Sequence, residues 1–434
     1  MKKNKLLPMF TLGFALFAMF FGAGNLILPP FIGLEAGSFW VYAIIGFGIT
    51  GILGPFLGLL SIIKTGESFT DLGNKVHPYF SIILGSAIML CIGPLIAVPR
   101  TGSLTYEMAL LKFFPTMKPF IGSSIFFTIT LLLCLSKSKV VDIIGNVLTP
   151  VLLVILGYLI ITGILNPPNT QLHSNADANA IFTFSFIEGY QTLDVLASVI
   201  FAGIIIAAIK SKGFETPKER TTTALYAGII AIVSLFFVYG GLIYLGATSG
   251  YESEEISRPV LLNHIAHTLL GSSSSFLLSI CIALACLTTA IALTGAVAGF
   301  FEQITKGKIP YKVGVFGCTI LAFVLSIQSV DEIIAFAVPI LLFVYPIIFI
   351  LILIEVFVGK FIRTKAPYFA AILVTTLITT LGLLENVGLS NEFFIRLRNA
   401  LPLRKYELEW LIPSAVTLII FMMLERLKSK KIKH

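Results

Sequence analysis

Charge is what this sequence has least of. Asp, Glu, Lys and Arg make up 12% of its 434 residues, where ordinary soluble domains carry about 25%. Hydrophobic residues take 57%. No soluble core buries that much apolar surface, so an apolar solvent has to cover the remainder. Histidine is scarce too: His77, His173, His264, His267 and His434 fall in the polar interruptions or the tail, leaving the apolar runs without a histidine proton relay. His264 and His267 stand three apart, but two ligands make a weak metal site and a solvated helix face explains the spacing. The cysteines, Cys91, Cys134, Cys281, Cys286 and Cys318, lie inside apolar runs without metal-type spacing. That points to apolar packing and away from a disulfide framework. Paired carboxylates and a nucleophile-elbow serine are also missing, which excludes the usual enzyme constellations. A channel's charged ring or filter segment is missing as well.

Long runs of Leu, Ile, Val and Phe are what the chain does have. They recur near 8–30, 40–63, 79–110, 119–135, 140–162, 184–209, 222–247, 275–301, 312–329, 333–357, 367–385 and 409–425. Runs of about 17 or more residues are long enough for an α-helix to cross a bilayer. The expectation is an all-α integral membrane protein of about twelve transmembrane helices in a single domain over 1–434. The first run follows Lys2, Lys3 and Lys5 like a signal peptide, but it continues through Asn25 to Pro29 and Pro30 without a convincing cleavage site, so it reads as a retained helix. The excess of basic residues is a topology signal, not a nucleic-acid footprint. Lys64, Lys75, Lys210, Lys212, Lys218, Arg220, Lys306, Lys308, Lys312, Lys360, Arg363 and Lys365 share the side of the N-terminus, against Lys112, Lys118, Arg258, Arg396, Arg398, Arg404 and Lys405 on the other. The positive-inside rule then places both termini in the cytoplasm of a multi-pass inner-membrane protein. The expected partners are the lipid bilayer and a small-molecule substrate. No obligate protein partner and no nucleic acid are expected, and no cofactor beyond a coupling ion.

Two spans carry signs of interruption. The first runs apolar to Phe21, then reads Gly22, Ala23, Gly24, Asn25; the sixth reads Phe201, Ala202, Gly203. Each lies a similar distance into its span and five spans separate them, the pattern of an inverted five-plus-five repeat with broken helices 1 and 6 framing a midplane site. The repeats would be 6–162 and 184–357, with two further helices over 367–425. Close packing of small residues is the competing reading of Gly22 and Gly24. Against it, Asn25 is expensive in lipid and the run is a poor helix former. A single glycine leaves the sixth span undecided. In the eighth span, Thr288 and Thr289 share a helix face with the Ala285 carbonyl, an oxygen set suited to a hard cation; hydroxyls bonding back to their own helix fit equally well. The third span holds Pro94 and Pro99, which kink a helix, next to Arg100; Asp194 lies in the sixth. Intramembrane charges are usually paired and functional, so Arg100 and Asp194 are candidates for gating or for pairing with each other.

The run Phe20 to Pro30 with its Gly22, Ala23, Gly24, Asn25 core, then Gly93, Pro94 through Pro99, Arg100, Thr101, then Gly189, Tyr190, Gln191, Thr192, Leu193, Asp194, resembles the branched-chain amino acid:cation symporter family. Three motifs in order cover essentially the full length. Gln191 and Leu193 depart from the family pattern, as does Ala202 where a glycine is expected. The resemblance implies a LeuT-type fold and uptake of leucine, isoleucine and valine, driven by sodium in most members. It places substrate at Gly22, Ala23, Gly24, Asn25, Phe201, Ala202 and Gly203. It places sodium at the carbonyls of Ala18 and Phe21 with Ala285, Thr288 and Thr289, and leaves Asn25 near substrate or a second ion. The rival is a carrier of another neutral solute on the same fold, or a proton-coupled one using Asp194 or Glu107.

Overall fold

The computed structural model describes residues 6–136, 140–174, 176–214, 216–251 and 256–431. Lys2, Lys3, Lys5 and His434 lie outside them. Among the described residues the secondary structure is helical throughout, with helices at all twelve expected spans. Seven are long and apolar enough to cross a membrane by length and composition alone: Leu28–Thr65, Pro78–Phe113, Ala178–Ser211, Pro217–Ala247, Phe276–Ile304, Val330–Phe361 and Ala366–Asn386. Shorter apolar helices, Met9–Phe20, Pro119–Leu135, Val151–Leu165 and Tyr311–Leu325, complete most of the remainder. Large apolar side chains stand exposed on the outside, Val154 at 71% and Ile83 at 69%, a surface only lipid would cover.

The first span is two half-helices, Leu6–Phe20 and Leu28–Ala36, joined by a short 3-10 turn at Ala23–Asn25. It therefore ends later than the sequence suggested. The Phe21 N–H closes the last full turn on the Phe17 carbonyl at 2.8 Å, and the next backbone bond is Asn25 N–H to Gly22 at 2.9 Å. Pro29 and Pro30 sit at the start of the second half, where a missing N–H costs little.

The sixth span is also broken, but not where the sequence placed it. Ala178–Glu188 gives way to a 3-10 turn at Gly189–Thr192, then Leu193 in left-handed conformation (φ 62°), and the helix resumes at Asp194–Ser211. Phe201, Ala202 and Gly203 lie inside that unbroken second half. One glycine weakens a helix by only about 1 kcal/mol, too little to open one held by its neighbours. The real break has stronger causes. Gly189 packs so close to the second span that a Cβ there would lie 1.9 Å from Thr50 Oγ1. The Thr192 hydroxyl accepts from the Asp194 N–H at 3.3 Å, an alternative to the helical bond. A γ-branched residue at positive φ costs roughly 1–3 kcal/mol and persists only where its surroundings hold it.

The third span, Pro78–Phe113, departs from helical geometry at Gly93 (φ −101°, ψ −119°) and Ile96 (φ −131°, ψ −65°). Pro94 is the cause: its ring drives the preceding residue out of the α region and it cannot donate to the turn before. Pro99 does not kink anything, because it falls in the first turn of the next segment, Ala97–Thr105. The first and sixth breaks pack against each other, and the segment after the third break packs on the first.

The two ends of the bundle are tied differently. At one, the Asn169 N–H donates to the Thr248 carbonyl at 3.0 Å, joining the loops after the fifth and seventh spans. At the other, Lys210 and Arg220 both meet Glu67, and these two cations hold its exposed carboxyl below the usual range.

Candidate functional site

The first, third and sixth breaks and one face of the eighth span enclose a cavity of about 80 Å³. A cavity needs about 10–15 Å³ to hold a single water, so this one has room for more than one. Its polar lining comes from Gly22, Gly24 and Asn25, from Arg100 and Thr101, from Thr192 and Asp194, and from Thr289; Met19, Ile92, Ala97, Leu193, Phe201 and Leu293 supply apolar wall. A larger crevice of about 280 Å³ opens between Phe80, Ile83, Phe343, Phe369 and Leu373. Ile83, Phe369 and Leu373 are exposed on the outer face, so this crevice belongs to the lipid-facing surface.

Asn25 ties the first break to the sixth. Its Nδ2 lies 3.0 Å from Asp194 Oδ2, 3.3 Å from the Phe20 carbonyl and 3.4 Å from Tyr239 Oη. The Tyr239 hydroxyl also donates to Phe20 O at 3.2 Å. The carbonyl orphaned by the end of the first half-helix is thus satisfied by two side chains, which holds the break open. Arg100 ties the third break to the sixth: its Nη1 donates to the Gln191 carbonyl at 2.6 Å. The opposite edge of the guanidinium faces Gly24, with Nε 3.2 Å and Nη2 3.5 Å from where a Cβ would stand. Asn25, Arg100 and Asp194 are all buried, each at most 6% exposed.

Of the residues chosen from sequence, Gly22, Gly24, Asn25, Phe201 and Thr289 reach this cavity, as do Arg100 and Asp194. Ala202 and Gly203 do not line it: Ala202 is fully buried in the helix, and a Cβ on Gly203 would approach the Glu67 carbonyl. Arg100 and Asp194 share the cavity without pairing, each having a neutral partner instead. Ala18, Phe21, Ala285 and Thr288 do not line it, and both threonine hydroxyls donate to the Ala285 carbonyl, at 2.9 Å from Thr288 and 2.8 Å from Thr289. The donor chemistry still fits a hard cation, since a hydroxyl that donates keeps its lone pairs. Glu107 caps the tenth span by accepting from the Val330 N–H at 2.8 Å and does not line the cavity. Thr192 was missed as a site residue. The available signal was the crowding of Glu188, Gln191, Thr192 and Asp194 into one apolar span.

Beyond the cavity lining, Arg258 joins four segments. Its guanidinium meets Asp331 of the tenth span, reaches Glu188 of the sixth at 3.2 Å, and lies 4.0 Å above the Phe31 ring of the first. Arg258 itself opens the surface helix that runs to a bend at Gly271 (φ 77°) before the eighth span.

Comparison with solved structures gives the fold. Mhp1 in its inward-facing conformation matches with a TM-score of 0.66 at 13% identity, covering 97% of this chain and 91% of that one. Mhp1, a nucleobase-cation-symport-1 family transporter, in a closed conformation with bromovinylhydantoin bound matches at 0.62 with 16% identity, covering 98% and 93%. Sequence relatives are closer. A protein of Staphylococcus saprophyticus named as a branched-chain amino acid carrier is 36% identical over 427 residues, 94% of each chain. One of Staphylococcus aureus (strain bovine RF122) with the same naming is 36% identical over 431 residues, 94% of this chain and 95% of that one. The family model described as branched-chain amino acid transport protein matches residues 5–428. The protein is a multi-pass membrane transporter of LeuT-type fold and not an enzyme, and it belongs to the branched-chain amino acid transport protein family.

Proposed function

We propose that this protein imports leucine, isoleucine and valine into a bacterial cell together with sodium, by alternating access across the cell membrane with both termini in the cytoplasm. The observation that carries this reading is the cavity where broken helices meet, lined both by polar groups and by Ile92, Leu293 and Phe201. An unwound helix exposes backbone N–H groups and the positive end of the half-helix beyond it, which suits a carboxylate. Gly22, Ala23 and Gly24 form that cradle, and glycine lets a ligand approach the main chain closely. The three substrates differ by a methylene or its position, which an apolar wall separates by only about 1–3 kcal/mol, so broad acceptance follows. Sodium is assigned to the carbonyls of Ala18 and Phe21 with Ala285, Thr288 and Thr289, an all-oxygen donor set.

The test is uptake of labelled leucine into proteoliposomes holding the purified protein. An inward sodium gradient should drive accumulation, with isoleucine and valine competing and alanine competing weakly. Accumulation on a proton gradient without sodium would replace sodium by the proton. No uptake of any branched-chain amino acid under either gradient would end the assignment of substrate.

A further inference from the structure

Two opposite charges face the cavity without meeting each other. Arg100 gives one Nη1 bond to a neutral carbonyl, while the Nε–Nη2 edge faces the main chain at Gly24. Nε is buried and has no hydrogen-bond partner. Asp194 accepts from the amide of Asn25, and among the described residues no ion pair joins it to a Lys, Arg or His. The two attract across the cavity, yet no ion pair joins them, so that attraction offsets only part of the cost of burying both. The free edge of Arg100 is the fork with which a guanidinium grips a carboxylate through two parallel bonds. The helix end nearby is a weaker anion site than usual, because Pro29 and Pro30 remove two donors from its first turn.

We infer that Arg100 and Asp194 bind the two poles of an amino-acid zwitterion, the guanidinium edge taking the α-carboxylate beside Gly24 and the Asp194 carboxylate taking the α-ammonium. The bound ligand then gives both groups a direct ion-pair partner at once. Selection for a free α-amino acid over an amine or a carboxylic acid of the same carbon skeleton follows directly. This rests on the substrate class proposed above and assigns the residues that read its backbone.

The experiment is equilibrium competition against labelled leucine on the full-length protein in nanodiscs with sodium present. The competitors are 3-methylbutylamine, which is leucine without its carboxylate, and 4-methylpentanoate, which is leucine without its ammonium. In the wild type each should compete at least about tenfold worse than leucine, since each loses a charge-assisted contact. In Arg100→Gln the advantage of leucine over 3-methylbutylamine should shrink to about threefold or less while its advantage over 4-methylpentanoate persists; Asp194→Asn should do the reverse. Should either variant fail to give monodisperse protein, the wild-type ratios decide alone, and equal competition by either analogue overturns the inference. Proportional weakening of leucine and both analogues in the variants would also overturn it, making the charges structural. So would an Asp194→Asn variant that changes only the half-saturating sodium concentration. Wild-type protein that is folded yet binds no leucine would instead remove the substrate class itself.

Discussion

Of the buried arginines, one lines the cavity and another lies beyond its lining, and these two are treated in opposite ways. Arg258 has carboxylates on both of its Nη groups and an aromatic ring below. Arg100 has one backbone carbonyl. Both leave Nε without a partner, so the difference lies in the counter-charge. Taking an ion out of water costs several kcal/mol, and a paired guanidinium recovers much of this while an unpaired one recovers little. A fold that leaves Arg100 and Asp194 out of contact across one cavity, yet places carboxylates on both Nη groups of Arg258, distinguishes charges that hold segments together from charges that await a ligand.

The largest effect that would break this contrast is on stability. Arg258→Ala leaves Glu188 buried without its cation and should destabilise the protein by about 3–5 kcal/mol, read as a clear fall in melting temperature in detergent. Arg100→Gln removes one bond to a backbone carbonyl and no ion pair, and should lower the melting temperature less than Arg258→Ala does. Equal losses in the two variants would mean that Arg100 is as structural as Arg258.

A smaller effect concerns the first break. Gly24→Val adds atoms at a point where even a Cβ is 3.2 Å from Arg100 Nε, and it restricts backbone that has to remain open. Leucine binding should be lost while expression holds. Leucinol, in which the carboxylate becomes an alcohol, should compete at least about tenfold worse than leucine on the wild type, as a charge-assisted bond contributes about 1.5–3 kcal/mol. Equal competition by the two compounds would separate this break from the carboxylate.

The smallest effect is on the ion. Replacing Thr288 and Thr289 by alanine removes hydroxyls whose bonds lie within their own helix, so folding should be unaffected. The sodium concentration for half-maximal leucine uptake should rise severalfold. An unchanged value would place the cation elsewhere.

The sequence made the first break readable because Gly22, Gly24 and Asn25 combine poor helix propensity with a polar group that lipid does not tolerate. The sixth break was harder. Phe201, Ala202, Gly203 offered a glycine at the position symmetry suggested, but propensity is a weak prior that helix packing overrides. The break at Gly189–Leu193 depends instead on the close approach of Gly189 to Thr50, a contact between residues far apart in sequence. For the same reason Arg100 and Asp194 could be recognised singly as costly charges, while their sharing of one cavity without pairing needed three broken helices brought together. Polar crowding within an apolar run, Glu188 to Asp194, is the local signal that would have found the second break.

The most direct test of the account is an experimental structure of the protein with leucine bound in the presence of sodium. The account predicts leucine in the cavity between the first, third and sixth breaks, its carboxylate against Gly24 and the Arg100 guanidinium edge, its ammonium at Asp194 and its branched end toward Ile92, Phe201 and Leu293. Leucine bound outside this cavity, or lying in it with both Arg100 and Asp194 left without contact to its charged groups, would contradict it.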